Sequence, residues 1–289
     1  MRLTTAAATL ALMLALPALG EKVDLRGPAP EAGETLVTTV KTETDPGTLN
    51  MTIEGQVVQG QMETDSTNVI EQKILEVEEG EPTKVQIKFI KAKTTSKTTV
   101  QGNTSKQEDA SMQGTVMTQT KTADGWGAEV EGNALPQEAK DLIKNAGYVD
   151  QRLVFPDKPV GIGDKWEIED ELMQAFMGQT GIPGAKFKGD MKFEMVDLKK
   201  EDGQLIAALD FQMDGAITME MSPDPTNKVS ITIKIKGDGT VYRNVSNYTT
   251  AQDFEGDMEM DMSVTGGGQV AMTMKASMPM KVDQTQERK

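Results

Sequence analysis

The chain contains no cysteine and no histidine. Together these absences exclude disulfides, thiol chemistry, zinc sites built on Cys and His, and imidazole acid–base catalysis. Aromatics are scarce, at 4% of 289 residues with two Trp and three Tyr. A core of this size must therefore be built from Met, Val, Ile and Leu, and sugar-binding platforms are in short supply. Positive charge is also short, with 30 Lys+Arg against 45 Asp+Glu and a formal net charge of −15. Such a surface repels nucleic acid and anionic headgroups, so no nucleic-acid partner is expected. No G-x-S-x-G elbow, phosphate loop or dinucleotide fingerprint occurs, so neither an enzyme nor a cofactor is expected.

What is present begins with an address. Met1-Arg2 is a short positive head, Leu10 to Leu16 is an uncharged apolar run, and Ala18-Leu19-Gly20 is a small-x-small site before the polar Glu21. This pattern predicts a secretory signal peptide over 1–20 and a periplasmic or secreted protein. The remainder keeps 29 basic and 45 acidic residues, so its formal charge is 29 − 45 = −16. No later apolar stretch is long enough to cross a bilayer as a helix, so stable membrane insertion is not expected. Residues 21–33, rich in Pro, Gly and Glu, read as a flexible lead-in, and 34–289 as a single β-rich domain with halves at about 34–150 and 151–289.

From Ala185 onward apolar and polar residues alternate almost without a break. Leu205, Ala207, Leu209, Phe211, Met213, Ile217, Met219 and Met221 share one parity, and Asp210, Gln212, Asp214, Thr218 and Glu220 the other. The pattern returns at Met258, Met260, Met262 and Val264, and again from Val270 to Val282. A period of two predicts strands with one dry and one wet face. Seventeen residues at about 3.4 Å each would span roughly 58 Å, too long for a flat strand in a compact sandwich. Gly189, Gly215 and Gly256 fall on the dry parity, where sheets bend. The expected fold is therefore mainly β: long, strongly curved antiparallel sheets, half-barrel or barrel-like.

Before Ala185, strands are predicted over Thr35–Thr44, Thr48–Val58, Thr67–Glu78 and Thr83–Lys93. Asp45-Pro46-Gly47, Glu79-Gly80-Glu81-Pro82 and Glu201-Asp202-Gly203 read as turns, and Gly237-Asp238-Gly239 as a tight hairpin. Thr94 to Gln107 reads as an exposed loop or weak edge strands. A bend is expected at Asn244 to Asn247. Two short helices are predicted, over 136–146 and over 171–178 with Asp170 as N-cap.

The most motif-like stretch runs from Phe155 to Trp166. Pro156 and Pro159 fix an extended path, Gly161 and Gly163 permit a turn, Asp164 offers an acceptor to backbone amides, and Trp166 anchors the next strand. This P-x-x-x-V-x-x-G-D-x-W pattern resembles a signature of a family of secreted bacterial β-sheet proteins without an assigned activity. The Gly237-Asp238-Gly239-Thr240 segment is similar to that family's closing hairpin. The resemblance implies an extracytoplasmic β domain and carries no catalytic residue. In outline the pattern is also similar to the half-barrel carriers of lipids and lipoprotein acyl chains in the bacterial envelope.

The methionines are the other feature, 20 in all. M-x-M spacings set two thioethers on one face of a strand. Soft thioethers hold Cu(I) or Ag(I), whereas in an ordinary core Met fills irregular space. A third use lies between these, a concave and adaptable apolar pocket for a lipid or acyl chain. The residues expected to line it are Met213, Met219, Met260, Met272 and Met274, with no resident metal. A purely structural envelope component remains the plain alternative. The acidic ladder Asp253, Glu255, Asp257, Glu259 and Asp261 reads as a solvated face offset by lysines on neighbouring strands.

Overall fold

A computed structural model describes residues 21–53, 55–123, 125–131, 148–179, 185–224, 227–266 and 269–289. The predicted signal peptide and the helix predicted over 136–146 lie outside the described residues.

The chain is mostly strand, in one antiparallel sheet. The first half supplies β1 (Thr35–Thr44), β2 (Gly47–Ile53), β3 (Gln56–Glu78), β4 (Glu81–Val100), β5 (Asn103–Asp109), β6 (Val116–Thr122) and β7 (Gly125–Glu131). The second supplies β8 (Lys165–Ile168), β9 (Lys186–Glu201), β10 (Gln204–Asp224), β11 (Asn227–Asn244), β12 (Thr250–Gly266) and β13 (Gln269–Arg288). The order is β7-β6-β4-β3-β1-β13-β12-β11-β10-β9-β8, with β2 between β13 and β3 and β5 on β4. The two halves are thus sewn together where β1 and β2 pair with β13.

Three tight two-residue turns join the long strands, at Glu79-Gly80, Gln101-Gly102 and Asp202-Gly203, with positive φ at both positions of each. That is the turn geometry whose twist matches right-twisted strands. Thr94–Val100 extends β4, and Asn103–Asp109 is a fully exposed edge strand.

Side chains from β3 and from β9 line one cavity. Six strand spacings separate these strands in the ladder, about 29 Å on a flat sheet at about 4.8 Å per step. The sheet is therefore curled into a barrel-like trough with its dry face inside. Two segments cross one end of that trough. Residues 21–33, read from the sequence as a flexible lead-in, are instead packed there in part: Val23 pairs with Val160, and Leu25 is 1% exposed. Residues 148–164 form the second crossing, including a 3-10 turn at Gln151–Val154.

Helix α1 (Asp170–Gln179) is the one described α-helix. Its first turn starts one residue earlier than predicted, because the Glu169 carbonyl accepts the Leu172 and Met173 amides. Asp170 therefore lies inside the first turn rather than capping it. Met173 is buried in the main core, and Gln174 fixes the start of β9 through Ala185 O and Phe187 N, each at 2.8 Å.

Three turn readings need correction. Asp45-Pro46 is not a turn. β1 and β2 follow one course along β13, interrupted where Pro46 has no amide to give, and Asp45 N donates to Pro279 O. Gly237-Asp238-Gly239 is not a hairpin but the middle of β11. The reversal comes at residues 245–249, where only a bend was expected. Asn244 Oδ1 accepts the Ser246 and Asn247 amides, and Asn247 Oδ1 accepts that of Thr249.

On the outer face the acidic ladder of β12 is offset much as expected. Lys281 reaches Glu255 at 2.6 Å, Lys275 reaches Asp261 at 2.8 Å, and Lys234 reaches Glu259 at 3.4 Å. Lys236 turns instead to Asp214 at 3.0 Å. Exposed pairs of this kind contribute about 0–1 kcal/mol each and serve mainly to keep the strands in register.

Candidate functional site

One register row divides the inner face. It runs Trp166, Phe193, Phe211, Gly239, Phe254, Val282 across β8 to β13. The rings stack in sequence, with centroid separations of 5.4 Å for Trp166–Phe193, 5.6 Å for Phe193–Phe211 and 5.8 Å for Phe211–Phe254. Each such pair adds about 0.5–1.5 kcal/mol beyond burial. The signature segment fixes one end of the row. Asp164 Oδ2 accepts the Gly161 amide at 2.9 Å, and Trp166 Nε1 donates to Val154 O at 3.0 Å.

On one side of the row the inner face is mainly Met, Ile and Val, with Phe187, Gly215, Gly237 and Gly256 among them. On the other it turns polar, with Gln252, Gln284, Gln286, Thr250 and Arg243 in the same rows as Val241 and Ala207. The crossing segments close over this polar end and leave a cavity of 290 Å³.

Arg26, Arg152, Arg243 and Arg288 all line it, with Glu34, Asp150, Tyr148 and the apolar Val154, Phe155, Met173, Met191 and Phe193. Arg243 is 3% exposed. It donates to Leu25 O at 2.9 Å, to Thr250 Oγ1 at 3.0 Å, to Arg26 O at 3.4 Å and to Tyr248 O. Its guanidinium lies 4.6 Å from the Phe155 ring centroid and 5.5 Å from that of Tyr248. Burial pushes its pKa down to about 10. Arg26 donates through Nε and Nη2 to Phe155 O, at 3.1 and 2.9 Å. Arg152 grips Asp150 and donates to Pro28 O. Arg288 pairs with Glu34 through Nε and Nη2 at 3.1 and 2.6 Å. Burial, with the Asp150 carboxylate nearby, raises the Tyr148 phenol well above its usual range, so it stays a neutral donor.

The five methionines singled out in the sequence share the inner face. Register carries the parity from Met213 and Met219 on β10 through Ile231 and Gly237 to Met260 on β12 and to Met272 and Met274 on β13. All five are half-buried. Met213 packs against the main core, and Met260 and Met274 pack against a smaller cluster of Leu49, Ala276 and Met278. Met219 and Met272 join neither cluster. None of the five lines the 290 Å³ cavity. Met213 comes nearest, as the ladder partner of the cavity-lining Met191. Met260 also borders a hollow on the polar outer face, beside Thr232, Lys234 and Lys275. Among the described residues no cluster of acidic side chains is arranged to hold a metal ion.

The arginines were missed in the sequence. The signal was their rarity: beyond Arg2 the chain has Arg26, Arg152, Arg243 and Arg288, and every other basic residue is lysine. Their separation in sequence hides that the fold brings all four together.

No family model matches the chain, and no curated protein matches it in sequence. Among solved structures, an outer membrane channel from Pseudomonas putida F1 aligns over 91% of this chain and 97% of that chain, at 8% identity and a TM-score of 0.28. A likeness at that level says nothing of what this chain does. Among the described residues no helix is long and apolar enough to cross a membrane.

Proposed function

We propose that this is an exported, non-enzymatic carrier that shelters an apolar guest, a lipid or acyl chain, on the Met-lined inner face of its curled sheet. The observation that carries the reading is the half-burial of much of that face, around a buried patch of Leu49, Ala276 and Met278. Beyond the aromatic row Met213, Met219, Ile231, Met260, Met262 and Met274 remain partly open to solvent. The two crossing segments gather at the opposite end, and α1 packs on β9. Contiguous apolar surface is rarely left wet without a use, since covering it gains about 25 cal/mol per Å². Met suits a surface that must fit shapes it does not choose. Export rests on the leader-like residues 1–20.

Solvent extraction of the purified protein followed by lipid mass spectrometry tests the reading, with displacement of a fluorescent fatty acid as the second measurement. A bound acyl species, or saturable displacement weakened by Ile231→Asp, supports it. An empty extract together with no displacement overturns it. N-terminal sequencing of the exported protein should begin at Glu21.

A second reading is favoured by one row of the sheet. Met262 is the ladder partner of Met274, and Met274 of Met51. Three thioethers thus stand side by side, a donor set suited to Cu(I) or Ag(I).

A further inference from the structure

We propose that the arginine-lined cavity is the headgroup site for the carrier's guest. It takes the oxyanion, a carboxylate or phosphate, of a single-chain amphiphile whose hydrocarbon leaves past Met191 toward the Met-lined face. The inference rests on the carrier reading and sharpens it.

Three observations lead there. The first is segregation. The chain has five arginines, so 30 − 5 = 25 of its basic residues are lysines. All four arginines after Arg2 line this cavity, and among the described residues no lysine does. A planar guanidinium offers a carboxylate or phosphate two parallel donors, which a lysine does not.

The second is charge. Among the described residues four arginines face two carboxylates, 4 − 2 = +2, within a chain of net charge −15. Asp150 answers Arg152, and Glu34 answers Arg288. Among the described residues no carboxylate forms an ion pair with Arg26 or Arg243. Arg243 has spent four of its five donors on carbonyls and a hydroxyl, so it contributes mainly field rather than contact. Arg26 and Arg288 each leave Nη1 without a hydrogen bond among the described residues, and the Tyr148 phenol adds a neutral donor. A buried cation without a counterion is costly, and a guest's oxyanion supplies one. An acidic surface repels anions in general, but a cleft that concentrates positive charge admits them locally.

The third is size and direction. At 290 Å³ the cavity sits at the lower end of small-molecule pockets, roughly 300–1,000 Å³. It holds a headgroup and a short length of chain. Its lining reaches Met191, which lies just past the aromatic row and is paired there with Met213. The remaining hydrocarbon therefore has apolar surface to follow. The arginines also act as latches on Phe155, Pro28 and Leu25 carbonyls. Latching accounts for Arg243 and Arg152, but not for the unspent donors of Arg26 and Arg288.

The test compares dodecanoate with methyl dodecanoate, and dodecyl phosphate with inorganic phosphate, at matched ionic strength by calorimetry. The acid should bind about tenfold or more tighter than the ester, the worth of one charge-assisted hydrogen bond. Arg26→Gln should cut that preference several-fold, and Arg26→Lys should restore part of it. Equal binding of acid and ester overturns the headgroup site and leaves the carrier standing. Binding of neither chain overturns the carrier reading, and this inference with it. Inorganic phosphate bound as tightly as dodecyl phosphate means a free-anion site and overturns the amphiphile. Should Arg26→Gln fail to fold, the acid-against-ester comparison in the unaltered protein decides alone.

Discussion

Phe211 and Phe254 stack with centroids 5.8 Å apart although a strand runs between them. The residue of that strand in the row is Gly239, partner of both. A Cβ there would sit 2.1 Å from Asp253 O and 2.8 Å from the Phe211 ring. Glycine is what lets the two rings close over the β11 backbone, as aromatic cover of strand glycines does elsewhere.

Gly239→Ala should therefore destabilise the fold by about 1–3 kcal/mol through overpacking. Phe254→Ala should cost about 3–5 kcal/mol through the cavity it opens. Urea denaturation measures both. A Gly239→Ala variant with an unchanged midpoint would mean that the row relaxes freely and does not hold the curl.

Arg243 ties Leu25 and Arg26, and Tyr248 and Thr250, to the end of the trough. Arg243→Gln removes charge-assisted bonds to carbonyls that are otherwise poorly served, each worth about 1.5–3 kcal/mol. The crossing segment should loosen, and limited proteolysis should cut between Val23 and Gly33 well before any strand. Arg243→Lys should behave nearly as badly, because one ammonium cannot reproduce the fork.

The Asp164 carboxyl is held below its ordinary value of 3.8, first by the Gly161 amide and then by Lys22. A depressed folded-state value means that the contribution is fully present above pH 3.8 and fades as pH falls through the lower folded value. Hydrogen exchange at the Val23 and Val160 amides, which pair at 2.8 and 3.0 Å, should accelerate in that window. Asp164→Asn should show the faster exchange already at neutral pH and lose the pH dependence.

Legibility in the sequence followed the strength of the period. The strict alternation from Leu205 to Met221 and from Met258 to Met262 fixes which residues face inward, and the observed register agrees. Residues whose meaning depends on a distant neighbour were misread. Gly237 and Gly239 look like a turn in isolation; they are glycines because Phe254 and Phe211 lie over them. Asp45-Pro46-Gly47 looks like a turn because nothing local reveals that β13 passes alongside. The candidate site was the least legible part. Arg26, Arg152, Arg243 and Arg288 form no motif, and only the curl of the sheet assembles them.

Whether the Met-lined face works through sulfur or through hydrocarbon is separable by one set of variants. Met51, Met262 and Met274 occupy one row on adjacent strands, with ladder partners about 5 Å apart at Cβ. Leu keeps nearly the same volume and apolar area but has no thioether. For a carrier, Leu at all three positions should hold dodecanoate affinity within about tenfold, since volume-conserving swaps cost under about 1.5 kcal/mol. A metal site should lose Cu(I) binding altogether, with an unchanged circular dichroism spectrum showing that the sheet survives. Introducing Asp at Met262 discriminates in the other direction, because it places a charge where a chain would lie and should abolish acyl binding. The expected outcome is retained amphiphile binding in the Leu variant and loss in the Asp variant. Tight Cu(I) binding by the unaltered protein, lost with the three sulfurs while dodecanoate fails to bind either form, would make the metal reading the correct one.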